Sequence, residues 1–343
     1  MEQERKKNSR RFAAMLIVFL IVLLILVVLS LCVGKYPVSA ADSISVLIRS
    51  LFGLEQKADP MVVNVVLGLR LPRILAAVLV GTGLSISGAC YQGVFRNPLV
   101  SPDFLGVSGG ACIGAAAAIL MGLSAGFISA FAFAGGLIAV LITSAIAAVM
   151  KNKSEMILVL SGIIVGSLMS SILGFIKFTA DPDTQLVSIT YWTMGSFSYV
   201  SVKDLGILAA VMIIPAVILI LISWWIDVLS LGSEEAKTLG VNVRLVRAIA
   251  IISSTLITAA SVCMAGTIGW VGLVIPHFAR MIGGASNRRL FPASCLMGAS
   301  FMLLVDTLTR IIGVNEMPVS IMTGIIGAPF FLWLLFRRRN RNI

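Results

Sequence analysis

The sequence predicts an all-α polytopic membrane protein with about ten transmembrane helices. Of its 343 residues, 59% are hydrophobic and 12% are charged, and the mean hydropathy is +1.05. A soluble domain of this length cannot bury that much apolar surface in its core. The apolar runs are roughly 18–25 residues long, which suits helices crossing about 30 Å of hydrocarbon. They lack the short alternating pattern of a membrane β-barrel.

The apolar runs divide the chain into ten candidate spans, and the second of them continues as one helix to about residue 93. Basic residues precede the first run, which is longer than the core of a signal peptide, so it is predicted to be a retained helix. One transmembrane domain over 13–336 then lies between basic tails at 1–12 and 337–343. The spans lie near 13–34, 62–82, 104–122, 126–149, 156–178, 205–225, 247–265, 267–282, 292–311 and 319–336.

Charge predicts which side each loop occupies. If the N-terminus is inside and the spans alternate, the inside segments carry 18 of the 26 Lys and Arg residues and seven of the 15 acidic residues. The outside segments then carry eight of each. This bias predicts that both termini are cytoplasmic. The inside segments account for the whole net charge of +11, so no nucleic-acid partner is needed to explain it.

Paired arginines stand near the predicted outer end of the second span, in Arg70-Leu71-Pro72-Arg73. Proline suits the first turn of a helix, where its missing N–H is not needed. Residues three apart share a helix face, so Arg70 and Arg73 are expected to point to the outer surface together. Snorkelling to lipid headgroups is the alternative. Because guanidinium forks bind carboxylates well, an external acidic partner is the sharper hypothesis.

A third arginine falls at the outer end of the ninth span. Arg310 follows Asp306 by one helical turn, so the two side chains can form an ion pair. Glu316-Met317-Pro318 comes next in the chain. Together with Arg70 and Arg73, Arg310 gives the outer face three arginines, which predict a docking surface for a protein with matching acids.

A cytoplasmic loop over about residues 228–246 is predicted to contain a short helix. Ser233 is expected to cap it, and Glu234 and Glu235 lie at the positive end of its dipole. Ala236 and Leu239 continue the helix, and Gly240 is expected to end it in the left-handed conformation. A helix without a span of its own suits contact with a cytoplasmic subunit. An ordinary amphipathic connector is the alternative.

The segment before the inner end of the eighth span holds Pro276, His277 and Arg280. Pro276 frees a carbonyl in the preceding turn, which His277 or Arg280 could satisfy. His277 is the only histidine in the chain, and the five cysteines form no CxxC or Cys/His cluster. We therefore predict a structural role at the inner interface, and neither a metal site nor a cofactor.

The sequence lacks motifs for catalysis and for energy coupling. No GxxxxGK[ST] loop is present, so the chain is not predicted to hydrolyse ATP. No HExxH motif or nucleophile elbow with a plausible base occurs, so it is not predicted to be an enzyme. Ionisable residues are nearly missing from the span interiors, which disfavours an ion-driven carrier. The energy source is predicted to lie outside this chain.

Ordered motifs over about Lys35 to Arg337 resemble those of the FecCD-type family, the iron-chelate and vitamin B12 permeases of ABC importers. Any one of them is weak, but together and in order they are specific. They are Leu69-Arg70-Leu71-Pro72-Arg73, Gly88 to Gln92, Arg96-Asn97-Pro98-Leu99 with Pro102, Leu105 to Ala111, Tyr191 to Ser196, Glu234 to Gly240, Gly272 to His277 with Arg280, and Glu316-Met317-Pro318 before Thr323, Gly327, Pro329 and Phe330.

The resemblance implies a fold like that of the vitamin B12 permease, in a multi-pass protein of the bacterial cytoplasmic membrane. It implies three kinds of partner: a second permease subunit, identical or not, two copies of a cytoplasmic ATP-binding subunit, and an extracytoplasmic binding protein. Arg70, Arg73 and Arg310 would face acids of the binding protein, and Glu234 to Gly240 would couple to the ATPase. The implied cargo is an iron chelate such as a ferric siderophore, moved by alternating access. Cobalamin or haem, and a secondary carrier, are the alternatives.

Overall fold

The computed structural model describes residues 2–150, 155–198, 200, 202–312 and 316–339, and these are helical without any β-strand. The predicted all-helical fold is confirmed. A π-helical segment (Asn64–Arg70) joins α3 to α4, and a 3₁₀ turn (Pro102–Leu105) precedes α5. The α-helices of the described residues are α1 (Glu2–Cys32), α2 (Ala40–Leu51), α3 (Pro60–Val63), α4 (Leu71–Val94), α5 (Val107–Leu120), α6 (Ala125–Val149), α7 (Glu155–Thr179), α8 (Gln185–Met194), α9 (Val202–Leu221), α10 (Ser223–Leu229), α11 (Ser233–Thr238), α12 (Val243–Ala265), α13 (Val271–Gly283), α14 (Asn287–Ile311) and α15 (Val319–Arg339).

Six helices in the described part of the chain are long and apolar enough to cross a membrane: Arg10–Cys32, Pro60–Val94, Ala125–Val149, Met156–Thr179, Val243–Ala265 and Asn287–Ile311. α9 and α10 form a further candidate that is bent by 57°. Three apolar helices are shorter: Val107–Leu120, Val271–Gly283 and Val319–Trp333. Each predicted span coincides with one of these segments. That all ten cross the membrane stays a prediction.

Helix α4 forms the centre of the bundle. It buries 19 of its 24 residues, as expected of a helix that is apolar on every side. It packs against α14, α12 and α13. The contacts are close because glycines remove the side chains between the backbones: a methyl group on Gly81 would overlap the carbonyl oxygen of Gly298, and one on Gly88 would overlap that of Gly272. Small residues commonly allow helices to pack this closely in membrane proteins.

The loops predicted to be inside gather at one end of the bundle, which we call the inner end. Two contacts between distant parts of the chain show this. The Arg289 guanidinium lies 5.5 Å from the centre of the Phe12 ring, and the Asp227 carboxylate accepts a hydrogen bond from the backbone amide of Asn287. The loops predicted to be outside meet at the opposite, outer end. This separation agrees with alternating spans, and the cytoplasmic placement of both termini stays a prediction. Among the basic residues that suggested it, Lys151, Lys153 and Arg341 lie outside the described residues.

Candidate functional site

A buried ion cluster occupies the outer end, with Asp306 at its centre. Asp306 is fully buried on α14. One carboxylate oxygen, Oδ1, lies 2.8 Å from Nε of Arg73 on α4, and Oδ2 lies 3.3 Å from Nε of Arg310. The predicted ion pair between Asp306 and Arg310 is therefore present. One acid thus holds two cations from two neighbouring helices.

Two further groups complete this outer ion cluster, which comprises Arg73, Ser198, Asp306, Arg310 and Glu316. Nη1 of Arg73 lies 2.7 Å from Oε2 of Glu316 and 3.1 Å from the hydroxyl of Ser198, and that hydroxyl donates to Glu316. Partial burial raises the pKa of the Glu316 carboxyl, but the hydrogen bonds from Ser198 and Arg73 outweigh it and hold the pKa below its ordinary value.

Two of the arginines also bind the end of α1. Arg70 donates to the carbonyl oxygens of Leu31 and Tyr36. Arg310 donates to the Ser30 carbonyl at 3.1 Å and to its hydroxyl. The last carbonyls of a helix have no partner within it and carry its negative dipole end, so cations are favourable there. These contacts fasten the end of α1 to α4 and α14.

The expectation that Arg70 and Arg73 share an exposed face is wrong for this chain. Their exposed fractions are 5% and 7%, and that of Arg310 is 7%. The expectation treated the second span as a helix with open surface at its end. In the structure the last turn of α1 covers Arg70 and α14 covers Arg73, so the two side chains bind different partners. A role for these residues in docking stays a prediction.

At the inner end, α11 forms the predicted short helix, with one correction. Its N-cap is Gly232 and its first residue is Ser233, so Ser233 is not the cap. Gly232 has a φ of 142°, a conformation that residues with a side chain rarely adopt. A side chain there would also overlap the Glu235 carboxylate. The other end is as predicted, because Gly240 follows the helix with a φ of 78°.

One side of α11 packs against the bundle, and the other side is exposed. Ala236 is fully buried, and Arg247 of α12 donates to the Ser233 hydroxyl at 3.3 Å. Glu234, Glu235 and Gly240 are exposed. Leu239 is 61% exposed and Leu231, just before the helix, is 63% exposed. The loop thus presents two large apolar side chains beside charged ones at the inner end.

Asp227, which the sequence analysis did not single out, connects the α11 region to α14. It lies on α10, and its carboxylate accepts hydrogen bonds from the Asn287 amide at 2.6 Å and the Ser286 hydroxyl at 2.8 Å. It therefore caps α14 from another part of the chain, at the positive end of that helix. An acid close before a predicted contact helix was the available signal, but its partner lies about 60 residues away and no local pattern shows it.

The inner-interface residues Pro276, His277 and Arg280 lie on α13. The carbonyl that Pro276 leaves without its helical partner is that of Gly272, which packs against Gly88. Arg280 does not bond to it in the described contacts. Instead Nη1 of Arg280 donates to Oε1 of Gln92 at 2.6 Å, and Nε2 of Gln92 donates to the Leu273 carbonyl at 3.3 Å. His277 is half-buried.

Comparison with known proteins gives a consistent result. The family model described as the FecCD transport family matches residues 22–337. The Molybdate import system permease protein MolB of Haemophilus influenzae is 38% identical over 315 residues, which cover 91% of this chain and 92% of that protein. A Helicobacter pylori protein named as an iron chelatin transport system permease is 42% identical over 276 residues, covering 80% and 83%. Other relatives bear the names of cobalamin and hemin permeases.

A solved structure agrees with these sequence matches. It is described as an inward-facing conformation of a metal-chelate type ABC transporter. Its chain is 36% identical and superposes with a TM-score of 0.84, covering 95% of this chain and 99% of that one. The helical arrangement is therefore shared over nearly the whole length of both chains.

Proposed function

This chain belongs to the FecCD transport family, and from that membership we propose that it carries an iron chelate across the membrane as the permease subunit of an ATP-driven ABC importer. Its many apolar helices make it a multi-pass membrane protein, and we place it in the bacterial cytoplasmic membrane. One transmembrane domain, residues 13–336, does the transport, between basic tails at 1–12 and 337–343.

A ferric siderophore is the proposed cargo. The observation that carries this choice is the 42% identity to the iron chelatin permease relative. Molybdate is the second candidate, because the relative named for it is matched over 91% of this chain. Cobalamin and haem follow, as cargoes named for other relatives.

We propose that the outer end receives an extracytoplasmic binding protein. The outer ion cluster and Arg70 together hold three arginines and two acids, so this group of side chains carries an excess of one positive charge. Glu316 is its most open charged member, with 37% of its side chain exposed. A carboxylate of the binding protein would approach through this opening and be attracted by Arg73 behind it, while Arg70 and Arg310 hold the supporting helices together.

Two copies of a cytoplasmic ATP-binding subunit are the proposed partners at the inner end, one for each permease subunit. Leu231 and Leu239 supply apolar contacts, and Glu234 and Glu235 supply charge, within the loop 228–246. Asp227 links this loop to α14, so closure of the ATPase pair is passed to a helix that reaches the outer ion cluster. Alternating access follows when this motion opens one end of the bundle and closes the other.

A second permease subunit, identical or not, is proposed to cover α7. Lipid-facing α1 is apolar throughout residues 13–29. The exposed side of α7 is different, because Ser167 and Ser171 stand between large apolar residues such as Ile164 and Leu168. The Ser171 hydroxyl donates to the Ser167 carbonyl within the helix at 3.2 Å. Small side chains such as serine allow another helix to approach closely in a membrane.

The cargo and the energy source are tested together by transport. The chain is reconstituted in liposomes with its ATPase and binding protein, and uptake of ferric siderophore, molybdate, cobalamin and hemin is compared. We expect ATP-dependent uptake of the ferric siderophore. Uptake of molybdate alone would overturn the cargo, and uptake without the ATPase that stops with a proton uncoupler would establish a secondary carrier.

The docking site is tested by Glu316→Gln, with Asp181→Asn as the matched control. Both substitutions remove one negative charge from an outer loop, but Asp181 is exposed and its carboxylate accepts hydrogen bonds from Asp183 and Thr184 of the same loop. We expect Glu316→Gln to increase the affinity for the binding protein several-fold, because Arg73 loses an internal competitor. Equal affinity in the two variants would contradict docking at this site.

A further inference from the structure

Helix α2 has three distinct sides. Ser43 and Val46 are fully buried against the bundle. At 100° of rotation per residue, the neighbouring side carries Ile44, Ile48 and Leu51, and the C-cap residue Phe52 continues it. These side chains are 41%, 49%, 81% and 71% exposed.

The third side of α2 is polar, with Asp42, Ser45 and Arg49. Asp42 accepts a hydrogen bond from the Ser39 hydroxyl at 2.7 Å, and Arg49 donates to the Glu55 carbonyl at 2.7 Å. An apolar side and a polar side are therefore both uncovered on one short helix. No single solvent suits both, but the boundary between lipid and water does.

Contacts with α1 place α2 at that boundary. The Ser43 hydroxyl donates to the carbonyl of Leu31, in the last turn of α1, at 3.5 Å. One side of α1 packs against α14, and the other leaves large side chains such as Leu20, Leu24 and Leu29 exposed. The span has a mean hydropathy of 3.6, so lipid covers this exposed side up to the last turn. Tyr36, in the link between the two helices, is 41% exposed, and such amphipathic rings favour the membrane interface. The apolar side of α2 thus continues the lipid-facing surface of α1.

We propose that α2 lies in the outer membrane interface and inserts Ile44, Ile48, Leu51 and Phe52 among the acyl chains of the outer leaflet. Its polar side faces water, and its buried side holds the end of α1 and the π-helical segment Asn64–Arg70 in place. Helices of this kind reach about 5–10 Å into the boundary between headgroups and acyl chains. The partner is the lipid bilayer, whatever the cargo of the importer.

Spin labels on Phe52→Cys and Ser45→Cys test this, with the chain in lipid nanodiscs and signal from the unsubstituted chain subtracted. Leu51→Cys repeats the measurement at a second apolar position. Collision rates are measured with oxygen, which concentrates in lipid, and with a water-soluble nickel chelate. We expect the ratio of oxygen to nickel collisions to be several-fold higher at residues 52 and 51 than at residue 45, with or without the binding protein.

Two results would overturn the proposal. A high nickel collision rate at residue 52 would show that the apolar side faces water. Low rates for both reagents would show that protein covers it, either from a second copy of the chain or, if they fall only on adding the binding protein, from that partner.

Discussion

Asp306→Asn should strongly destabilise the protein. The substitution preserves the size of a fully buried side chain but removes the negative charge between Arg73 and Arg310, which lie 2.8 and 3.3 Å away. Removing one partner of a buried ion pair costs about 3–5 kcal/mol. Arg73 keeps Glu316 as a second acid, so we expect the lower part of this range. A loss of about 3 kcal/mol changes the unfolding equilibrium roughly a hundredfold.

The assay is reversible unfolding by a denaturing detergent in mixed micelles, followed by tryptophan fluorescence. Asp181→Asn is the control for the loss of one acid at the outer end and should change the unfolding free energy little. Adding Arg310→Met to Asp306→Asn restores the charge balance and should recover part of the loss. The reasoning is refuted if Asp306→Asn is no less stable than Asp181→Asn.

Three further predictions concern other contacts. Gly88→Ala should destabilise the bundle by at least about 1–3 kcal/mol, because its methyl group meets the Gly272 carbonyl. Gly166→Ala, which has open space, should be neutral or slightly stabilising in the same unfolding assay, and equal losses in both would contradict the close packing. Asp227→Asn should reduce ATP-driven uptake in liposomes while leaving the affinity for the binding protein unchanged, because it weakens the link to α14 and not the outer end; unchanged uptake would argue against that link. Because the folded pKa of Glu316 lies below the unfolded value of 4.5, its contribution to stability is present above pH 4.5 and is lost as the pH falls through the lower folded pKa. Melting temperatures across that acid range should therefore fall less steeply for Glu316→Gln than for the unsubstituted chain, and parallel curves would refute the assignment.

The spans could be predicted from the sequence because each is a continuous apolar run, and the end of α11 at Gly240 because that glycine acts locally. The start of α11 was predicted one residue too late, at Ser233 and not at Gly232. The surroundings of the arginines could not. Arg73 and Asp306 are 233 positions apart, and no local pattern shows that α14 would cover Arg73. The same applies to Asp227 and the start of α14. Burial at the outer end depends on which helices become neighbours, and that information is tertiary.

Short helices outside the spans were also missed. α2 and α8 are too short to stand out as apolar runs. The π-helical segment before α4 is a stretch of wider helical turns, and its residue types do not differ from those of an ordinary apolar helix. Such wide turns depend on packing around them more than on the residues within them.

α3, the π-helical segment and α4 form one long helix. Its length determines how deep in the membrane Arg70 and Arg73 lie. Its 35 residues extend about 52 Å, at 1.5 Å per residue. A tilt of about 40°, the upper end of the usual range, still leaves about 40 Å along the membrane normal, against roughly 30 Å of hydrocarbon. The helix must overhang the hydrocarbon, and Arg70 and Arg73 fall in its first half. Arg70 contacts the last turn of α1, so the overhang falls on the outer side. The arginines are therefore enclosed by protein near the outer edge of the hydrocarbon, where a charge is less costly than at the bilayer centre.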